Sequence, residues 1–237
     1  MIGNSLLAAV PRKVYARLLA GLEPVTLNFG EVLYEPGQAI RHVYFPDASL
    51  VSLLTLADGH LALEVGLIGR EGMVGIPLAL GVGISPIRAL VQGAGAAMRM
   101  KSAPFLKELR HNLHLQHALY RYTHTLMAQV AQTAACNRFH MVEERLARWL
   151  LMTRDRVQSN DFRLTQEFLA HMLGVRREGV TMAAGQLQKR KLIEYSRGNI
   201  SVLNQKGLEA ASCSCYRTVG NIHSLRLTSS DRVGNRS

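Results

Sequence analysis

The chain has 237 residues, of which 48% are hydrophobic and 19% charged, so it can bury one large or two small cores. No apolar run reaches the roughly 18–20 residues of a membrane-spanning helix. The first basic residues follow the short apolar stretch at the start of the chain, which is the reverse of a secretory signal. Three cysteines are too few for a disulfide scaffold, so we expect a cytoplasmic protein.

The charge is distributed unevenly along the chain. There are 28 Lys and Arg against 17 Asp and Glu, which gives a net charge of +11. Residues 1–135 carry 11 basic and 8 acidic residues, whereas residues 136–237 carry 17 basic and 9 acidic ones. A basic second part predicts a polyanionic partner, which charge alone leaves open between DNA, RNA and an anionic membrane surface. The alternative is that the arginines only keep the surface soluble.

The first part of the chain has the pattern of a small β domain. Residues 1–22 predict a short helical lead. Short alternating apolar segments then predict strands at 32–34, 43–45, 50–56, 61–67 and 88–100, the last interrupted by Gly93-Ala94-Gly95. Asp58-Gly59 between two apolar runs is a strong hairpin signal. Many short strands with regular turns predict a sandwich or barrel.

From Pro104 to about Ala135 the apolar period becomes helical. Two apolar stripes run along this predicted helix. One stripe includes Leu106, Leu109, Leu113, Gln116, Tyr120, Thr123, Met127, Val130 and Ala134, and the other Leu115, Leu119, Tyr122 and Leu126. One stripe can cover the barrel, and the other can meet a second copy of the helix in a coiled-coil seam. The alternative is a single helix buried in a monomeric core.

A second helix is predicted over 141–154, and residues 164–188 then predict two helices joined by a tight turn. Thr165 is a good N-cap residue, and Gly174 permits the left-handed conformation that ends a helix. Val180, Ala184 and Leu187 form an inner face on the second helix. This pattern is typical of a helix-turn-helix, whose second helix enters the major groove of DNA. The alternatives are an unrelated helical hairpin and a helix pair that binds protein.

Basic and polar residues stand where such a pair of helices meets DNA. Arginine can bind guanine through two hydrogen bonds, and glutamate can accept one from cytosine. Downstream, residues 192–203 predict two strands around a Gly198-Asn199 turn, which would form a wing. The predicted DNA-binding residues are Arg176, Arg177, Glu178, Thr181, Thr165, Gln166, Lys189 and Arg197.

These motifs resemble the Crp/Fnr family of bacterial transcription regulators. The resemblance covers about residues 22–212 and is most specific in Leu164–Leu187 and in the turns Phe29–Gly37 and Gly69–Gly75. The ending Ala210–Tyr216 also resembles a subgroup of this family. It implies an α+β fold in four parts. These are an N-terminal cyclic-nucleotide-binding-like β-roll (1–103), a dimerisation helix (104–136), a winged helix-turn-helix (137–217) and a disordered tail (218–237).

The resemblance implies a homodimeric transcription regulator that binds double-stranded DNA and RNA polymerase, has no membrane partner and is not an enzyme. The β-roll would sense an unidentified signal and reorient the recognition helices. In the family, an Arg–Glu pair and a further arginine one turn on read the bases. Arg177 and Glu178 match the pair, but the third position is Met182, which leaves the family's half-site in doubt.

No cofactor is predicted. Family members that bind cyclic nucleotides use a Gly-Glu and an Arg-Ser pair, and this sequence has Gly75-Ile76 and Ser85-Pro86 instead. Arg88 is the one candidate ligand for a cyclic phosphate, so we expect no tight cAMP binding.

An iron–sulfur cluster needs about four thiolates, and the chain has three cysteines, so no cluster or other metal site is assigned. The histidines at 111, 114 and 117 leave haem or metal open. The alternative function is therefore a haem, metal or nucleotide sensor whose helical domain binds protein.

Overall fold

The structure, a computed structural model, describes residues 3–57 and 61–228, together with the side chains of all of these except 57, 61 and 223–228. The chain divides into two compact units. The first consists of Met1–Thr55 and Gly66–Leu126, and the second of Leu56–Val65 and Met127–Ser237. The division falls within the long helix, and the predicted boundaries at 103 and 136 stay predictions.

The first unit begins with two short helices, α1 (Ser5–Ala8) and α2 (Arg12–Leu19), as the predicted helical lead requires. Seven strands follow: β1 (Leu22–Leu27), β2 (Val32–Tyr34), β3 (His42–Pro46), β4 (Leu50–Ala57), β5 (Leu61–Ile68), β6 (Arg88–Gly93) and β7 (Gly95–Lys101). They form two sheets with the orders β1-β7-β3 and β2-β6-β4-β5. Between β5 and β6 lies a short 3₁₀ helix, Ile76–Leu80.

The strand pattern confirms the predicted β domain. Both partners of β7 and both partners of β6 run antiparallel to it. The interior is formed by buried apolar side chains of several strands, among them Leu27, Val43, Phe45, Leu54, Val91 and Met100. The strands β4 and β5 are neighbours in one sheet, as the hairpin signal predicts. The predicted turn itself lies outside the described residues.

The prediction of a single helix from 104 to 135 is wrong. The structure has two helices there, α3 (Ser102–Arg110) and α4 (Leu113–Phe139). The buried side chain of Asn112 explains the break. Its Oδ1 accepts a hydrogen bond from the backbone N–H of Leu115 at 3.1 Å. Asparagine is a favoured N-cap, and Asn112 therefore starts a new helix although the apolar period continues across it.

The two stripes of α4 have different surroundings. Leu115, Leu119, Tyr122 and Leu126 are all buried. Within the first unit, Tyr122 lies so close to Gly72 that a Cβ there would come within 2.3 Å of the tyrosine Oη. Leu113, Tyr120 and Met127, by contrast, are 67%, 49% and 67% exposed. One stripe therefore packs on the β domain and the other presents apolar side chains at intervals of seven residues.

Among the described residues, the second unit contains the parts of β4 and β5 that fall within Leu56–Val65, the C-terminal half of α4 and eight further elements. These are α5 (Val142–Val157), β8 (Asp161–Arg163), α6 (Gln166–Leu173), α7 (Arg177–Lys189), β9 (Ile193–Ser196), β10 (Asn199–Val202), α8 (Gln205–Ala211) and α9 (Cys215–Thr228). The strands form one antiparallel sheet, β8-β10-β9. Sequence analysis predicted α5, α6, α7 and the two wing strands but missed β8.

The prediction of a disordered tail from residue 218 onward is wrong for residues 218–228, because these residues belong to α9. Two contacts hold the start of this helix. Val219 is buried, and the Tyr216 hydroxyl donates a hydrogen bond to Oδ2 of Asp155 at 2.9 Å. Residues 229–237 of the predicted tail lie outside the described residues. Within the described part of the chain, no helix has the length and apolar content to span a membrane.

Candidate nucleic-acid interface

The turn between α6 and α7 has the predicted conformation. Oγ1 of Thr165 accepts a hydrogen bond from the N–H of Phe168 at 3.1 Å and so caps α6. Gly174 ends α6 in the left-handed region, with φ of 60°. A Cβ at Gly174 would also lie 2.6 Å from Cδ1 of Leu63. Both the backbone conformation and the close side chain therefore favour glycine at this turn.

The helix α7 has one buried and one exposed face. Val180, Ala184 and Leu187 are buried, which confirms the predicted inner face. Four of the predicted DNA-binding residues are exposed at its start and on its outer face, and Met182 beside them is 68% exposed. These four residues are Arg176, Arg177, Glu178 and Thr181. A helix that binds in the major groove needs its polar side chains on the exposed face, where they can reach base edges.

Gln166 connects the two helices at this exposed end. Its Oε1 accepts a hydrogen bond from Oγ1 of Thr181 at 3.0 Å and a longer one from Nε of Arg177 at 3.4 Å. The Thr181 hydroxyl also lies 3.1 Å from the carbonyl oxygen of Arg177. The structure thus brings together three residues that sequence analysis had assigned to two separate helices.

An open cleft of about 380 Å³ lies between the starts of α6 and α7 and the wing. Its lining residues are Thr165, Gln166, Glu167, Arg177, Tyr195, Arg197 and Gly198. Two arginines and the N-terminus of α6 attract anions here, because the first amides of a helix have no acceptor within the helix. Glu167 opposes them in part. The cleft therefore has the chemistry of a site for a single phosphate group.

The wing turn differs by one residue from the prediction. Ser196 and Asn199 pair across β9 and β10, so the turn consists of Arg197 and Gly198 rather than Gly198 and Asn199. Arg197 and Gly198 have φ values of 49° and 80°, as a two-residue hairpin turn of the primed type requires. The turn leaves the exposed Arg197 side chain at the tip of the wing, on the rim of the cleft.

Tyr195 is a cleft residue that sequence analysis missed. Its hydroxyl donates a hydrogen bond to the carbonyl oxygen of Leu164 at 3.2 Å, and its N–H donates one to Oε1 of Gln188 at 3.0 Å. Burial raises the pKa of the Tyr195 hydroxyl, although the charge of Arg177 opposes the shift. The residue thus stays a neutral donor. Its aromatic side chain in a predicted wing strand was the sequence signal that could have identified it as a cleft residue.

Lys189 does not belong to the cleft. It is the last residue of α7, twelve positions after Arg177, which places the two about 18 Å apart along the helix. Its side chain is exposed. The neighbouring Arg190 pairs through Nη1 with Oε1 of Glu143 at 2.7 Å, which ties this end of α7 to α5. Lys189 is therefore available to a different part of a long polyanion.

The residues of the first unit that could bind a cofactor are either paired with another side chain or exposed. Nε of Arg88 pairs with Oε2 of Glu35 at 2.9 Å, so this guanidinium already has an anionic partner. His111, His114 and His117 are exposed, and His111 precedes α4 rather than lying on it. Their spacing of three therefore does not place them along one continuous helix.

The three cysteines, by contrast, meet in the second unit. Cys136, Cys213 and Cys215 are buried together, and the sequence analysis did not connect them with His140. The three Sγ atoms and a ring nitrogen of His140 all lie within 4.8 Å of one another. No sequence motif linked Cys136 to Cys213, because 77 residues separate them.

Comparison with known proteins supports this description of the second unit. A family model described as the Crp-like helix-turn-helix domain matches residues 144–211. This segment contains the capped helix α6, the Gly174 turn, α7 and both wing strands. No curated protein matches the sequence significantly.

Several solved structures have the same fold. FixK2 from Bradyrhizobium japonicum has a TM-score of 0.69 at 15% identity, covering 81% of this chain and 98% of its own. The c-di-GMP-responsive global regulator CLP from Xanthomonas campestris has a TM-score of 0.66 at 16% identity, with coverages of 81% and 99%. A transcriptional regulator of the CRP family from Thermus thermophilus has a TM-score of 0.66 at 18% identity, with coverages of 79% and 96%. Residues 144–211 therefore match the Crp-like helix-turn-helix domain, and the chain has the fold of these solved structures.

Proposed function

We propose that this chain is a homodimeric transcription regulator that reads DNA with the N-terminal part of α7. The observation that carries the proposal is the exposure of Arg176, Arg177 and Glu178 directly after the left-handed Gly174 turn. A helix that is buried on one face by Val180 and Leu187 and bears three exposed charges at its start has the form of a recognition helix.

Base readout follows from the chemistry of these side chains. A guanidinium can donate two parallel hydrogen bonds to O6 and N7 of guanine, and a carboxylate can accept one from N4 of cytosine. Arg177 and Glu178 are adjacent, so they would read neighbouring positions of one half-site. Each good pair discriminates against the wrong base by about 1–3 kcal/mol.

Phosphate contacts would orient the domain on the duplex. Thr165 and Arg197 line the cleft, together with the N-terminus of α6. A phosphate there would accept hydrogen bonds from free helix amides and from a guanidinium, which is the usual way that a domain fixes its register on DNA. Lys189 would contact the backbone farther along. The surplus of positive charge after residue 136 makes binding sensitive to salt.

The exposed stripe of α4 supports a dimer. Leu113, Tyr120 and Met127 recur every seven residues, which is the spacing of one seam position in a coiled coil. Three large apolar side chains that are 49–67% exposed on one helix face favour contact with the same face of a second copy of the chain. Two copies would present two recognition helices to half-sites one turn of DNA, or about 34 Å, apart.

The first unit would sense a signal and change the separation of the two recognition helices, so that one state fits DNA. We infer that this signal is not a tightly bound cyclic nucleotide at Arg88, because Glu35 already neutralises that guanidinium. Bound to DNA, the dimer would act on RNA polymerase, as the resemblance implies.

The proposal is tested by selecting DNA with the full-length protein from a pool of random duplexes and sequencing the bound fraction. We expect a two-fold symmetric motif whose half-sites lie about one helical turn apart. Recovery of the random pool without enrichment, at salt concentrations where the protein still binds, would contradict sequence-specific recognition.

A further inference from the structure

The C-terminal end of α4 and the start of α9 hold four side chains whose donor atoms converge on one point. Sγ of Cys136 and Sγ of Cys213 are 3.5 Å apart, and Sγ of Cys215 is 3.5 Å from Nδ1 of His140. All four donor atoms lie within 4.8 Å of one another. Cys136, Cys213 and Cys215 are 0%, 5% and 1% exposed, and His140 is half-buried.

These distances are those of ligands that share one ion. Tetrahedral zinc holds sulfur at about 2.3 Å and imidazole nitrogen at about 2.0–2.1 Å, so two ligands on the same ion are about 3.5–3.8 Å apart. Two pairs of the cluster, at 3.5 Å each, need little adjustment to reach this geometry. Three sulfurs and one nitrogen form a closed set of four, which is typical of structural rather than catalytic zinc sites.

The local sequence positions the four donors. Cys136 lies in the last turn of α4, and His140 directly follows the helix, with its N–H donating to the carbonyl oxygen of Cys136 at 3.1 Å, so the two side chains lie one turn apart. Cys213 and Cys215 flank one residue between α8 and α9. Tyr216, next to Cys215, is anchored by its hydrogen bond to Asp155. Two segments that are distant in sequence are thus held against each other at this point.

Buried positive charge surrounds the cluster. The side chains of Arg145 and Arg148 are buried, and the Nε atom of each has no hydrogen-bond partner among the described residues. Both guanidinium groups interact electrostatically with Cys136. Three thiolates around a divalent ion carry a net charge of −1, which these arginines would offset. Buried cations of this kind otherwise cost free energy, so their position favours an anionic centre.

A further hydrogen bond is directed at one of the sulfurs. Nε2 of Gln132 donates to Sγ of Cys215 at 2.9 Å. Amide donors to sulfur stabilise the thiolate form and orient the ligand, as they do around known metal centres. Gln132 lies on α4 one turn before Cys136, so the helix supplies one ligand and this supporting donor, and His140 follows directly after it.

We propose that Cys136, His140, Cys213 and Cys215 bind one zinc ion, which joins the end of α4 to the start of α9 within the second unit. Binding replaces the protons of the three thiols, which pass to solvent, and the neutral imidazole donates its lone pair. Soft thiolate ligands with one imidazole suit zinc, whereas oxygen ligands would suit magnesium or calcium. The proposal does not depend on DNA binding.

Two other uses of the cluster fit less well. The four ligands of an iron–sulfur cluster bind different irons, so they lie farther apart than ligands that share a single ion. A disulfide between Cys136 and Cys213 would leave Cys215 and His140 without a role. Both remain distinct outcomes of the experiment, because iron and disulfides give signatures that zinc does not.

The first test measures metal in the full-length protein, purified under reducing conditions without added chelator. We expect about one zinc per chain by elemental mass spectrometry. After removal of zinc, titration with Co²⁺ should give the visible absorption bands of tetrahedral cobalt and a thiolate-to-cobalt charge-transfer band. X-ray absorption at the zinc edge should show three sulfur neighbours and one nitrogen neighbour.

Variants then assign the ligands. His140→Ala should lower the zinc content, His140→Cys should restore it with four sulfur ligands, and His124→Ala, on the exposed surface of α4, should leave it unchanged. Gln132→Leu should weaken zinc affinity about 10–100-fold while the fold stays intact. Circular dichroism of each variant separates loss of metal from loss of fold.

Several results would overturn the proposal. These are a folded, reduced wild-type protein that lacks zinc and gives no tetrahedral cobalt spectrum, stoichiometric iron with inorganic sulfide, or a native disulfide under reducing conditions. Unchanged zinc content and affinity in His140→Ala would overturn the ligand assignment. Since none of these measurements uses DNA, failure of the zinc proposal leaves the proposed function standing, and the reverse also holds.

Discussion

Thr181 and Gln166 meet at 3.0 Å, hydroxyl to amide oxygen, across the two helices of the helix-turn-helix. The contact lies at the exposed end of the pair, where Arg177 also reaches the same amide oxygen. Gln166 is the first residue of α6 and follows the cap residue Thr165. The start of α6 therefore orients the start of α7, and both depend on the turn at Gly174.

Gly174→Ala should destabilise the second unit, because alanine in the left-handed region costs about 1–2 kcal/mol and its Cβ would displace the end of Leu63. The matched variant Gly185→Ala lies within α7 in open space and should stabilise the protein by about 0.5–1 kcal/mol. Urea unfolding followed by fluorescence of Trp149, the single tryptophan, reports on this unit. Equal effects of the two substitutions would contradict the role of Gly174.

Met182→Arg should change which half-site the protein prefers. Met182 is exposed one turn after Arg177 and Glu178, and a methionine there cannot donate a hydrogen bond to a base. An arginine would add a guanine contact worth about 1–3 kcal/mol at one further position of each half-site. Selection on random duplexes measures the change, with Met182→Leu as the control. Identical preferences in both variants would place residue 182 outside the interface.

Tyr120→Glu should convert the dimer into a monomer. Tyr120 lies at the centre of the exposed stripe of α4, and a carboxylate from each copy would repel its counterpart across the seam. Tyr120→Phe keeps the apolar surface and should remain dimeric. Sedimentation velocity at micromolar concentration distinguishes the two states. A Tyr120→Glu protein that sediments as the wild type would exclude this stripe as the dimer contact.

Asn112→Ala should destabilise the first unit by about 1 kcal/mol, since the Leu115 N–H would lose its capping acceptor. Asn112→Ser retains an oxygen acceptor and should recover part of the loss. Thermal unfolding followed by circular dichroism provides the comparison. If alanine and serine were equally stable at this position, the cap could not be the reason that α4 starts there.

The helix-turn-helix could be predicted because its signals are local. The Thr165 cap, the Gly174 turn and the inner face of α7 all lie within two dozen consecutive residues, and the structure has each as predicted. The wing turn lies one residue earlier than predicted. A two-residue turn of this type needs positive φ at both positions, and Arg197 adopts positive φ next to Gly198.

The remaining differences arise where a local pattern competes with another signal. The apolar period runs through residues 111 and 112, and it concealed the cap at Asn112 that divides the helix. Near the C-terminus, two buried anchors, Cys215 and Val219, are too few to give a visible period, yet they begin α9. The cysteine cluster could not be predicted from the sequence, because its two local pairs, Cys136 with His140 and Cys213 with Cys215, meet only through tertiary packing.

The central claim, that Arg177 reads a base, is tested most directly by fluorescence anisotropy titrations on the selected operator and on a scrambled duplex of equal length. The wild type, Arg177→Ala and Arg12→Ala, an exposed arginine of α2 in the first unit, are compared at several salt concentrations. We predict that Arg177→Ala lowers the ratio of operator to scrambled affinity by about 5–150-fold, corresponding to about 1–3 kcal/mol, while Arg12→Ala leaves the ratio unchanged. The same ratio for the wild type and Arg177→Ala would contradict the claim.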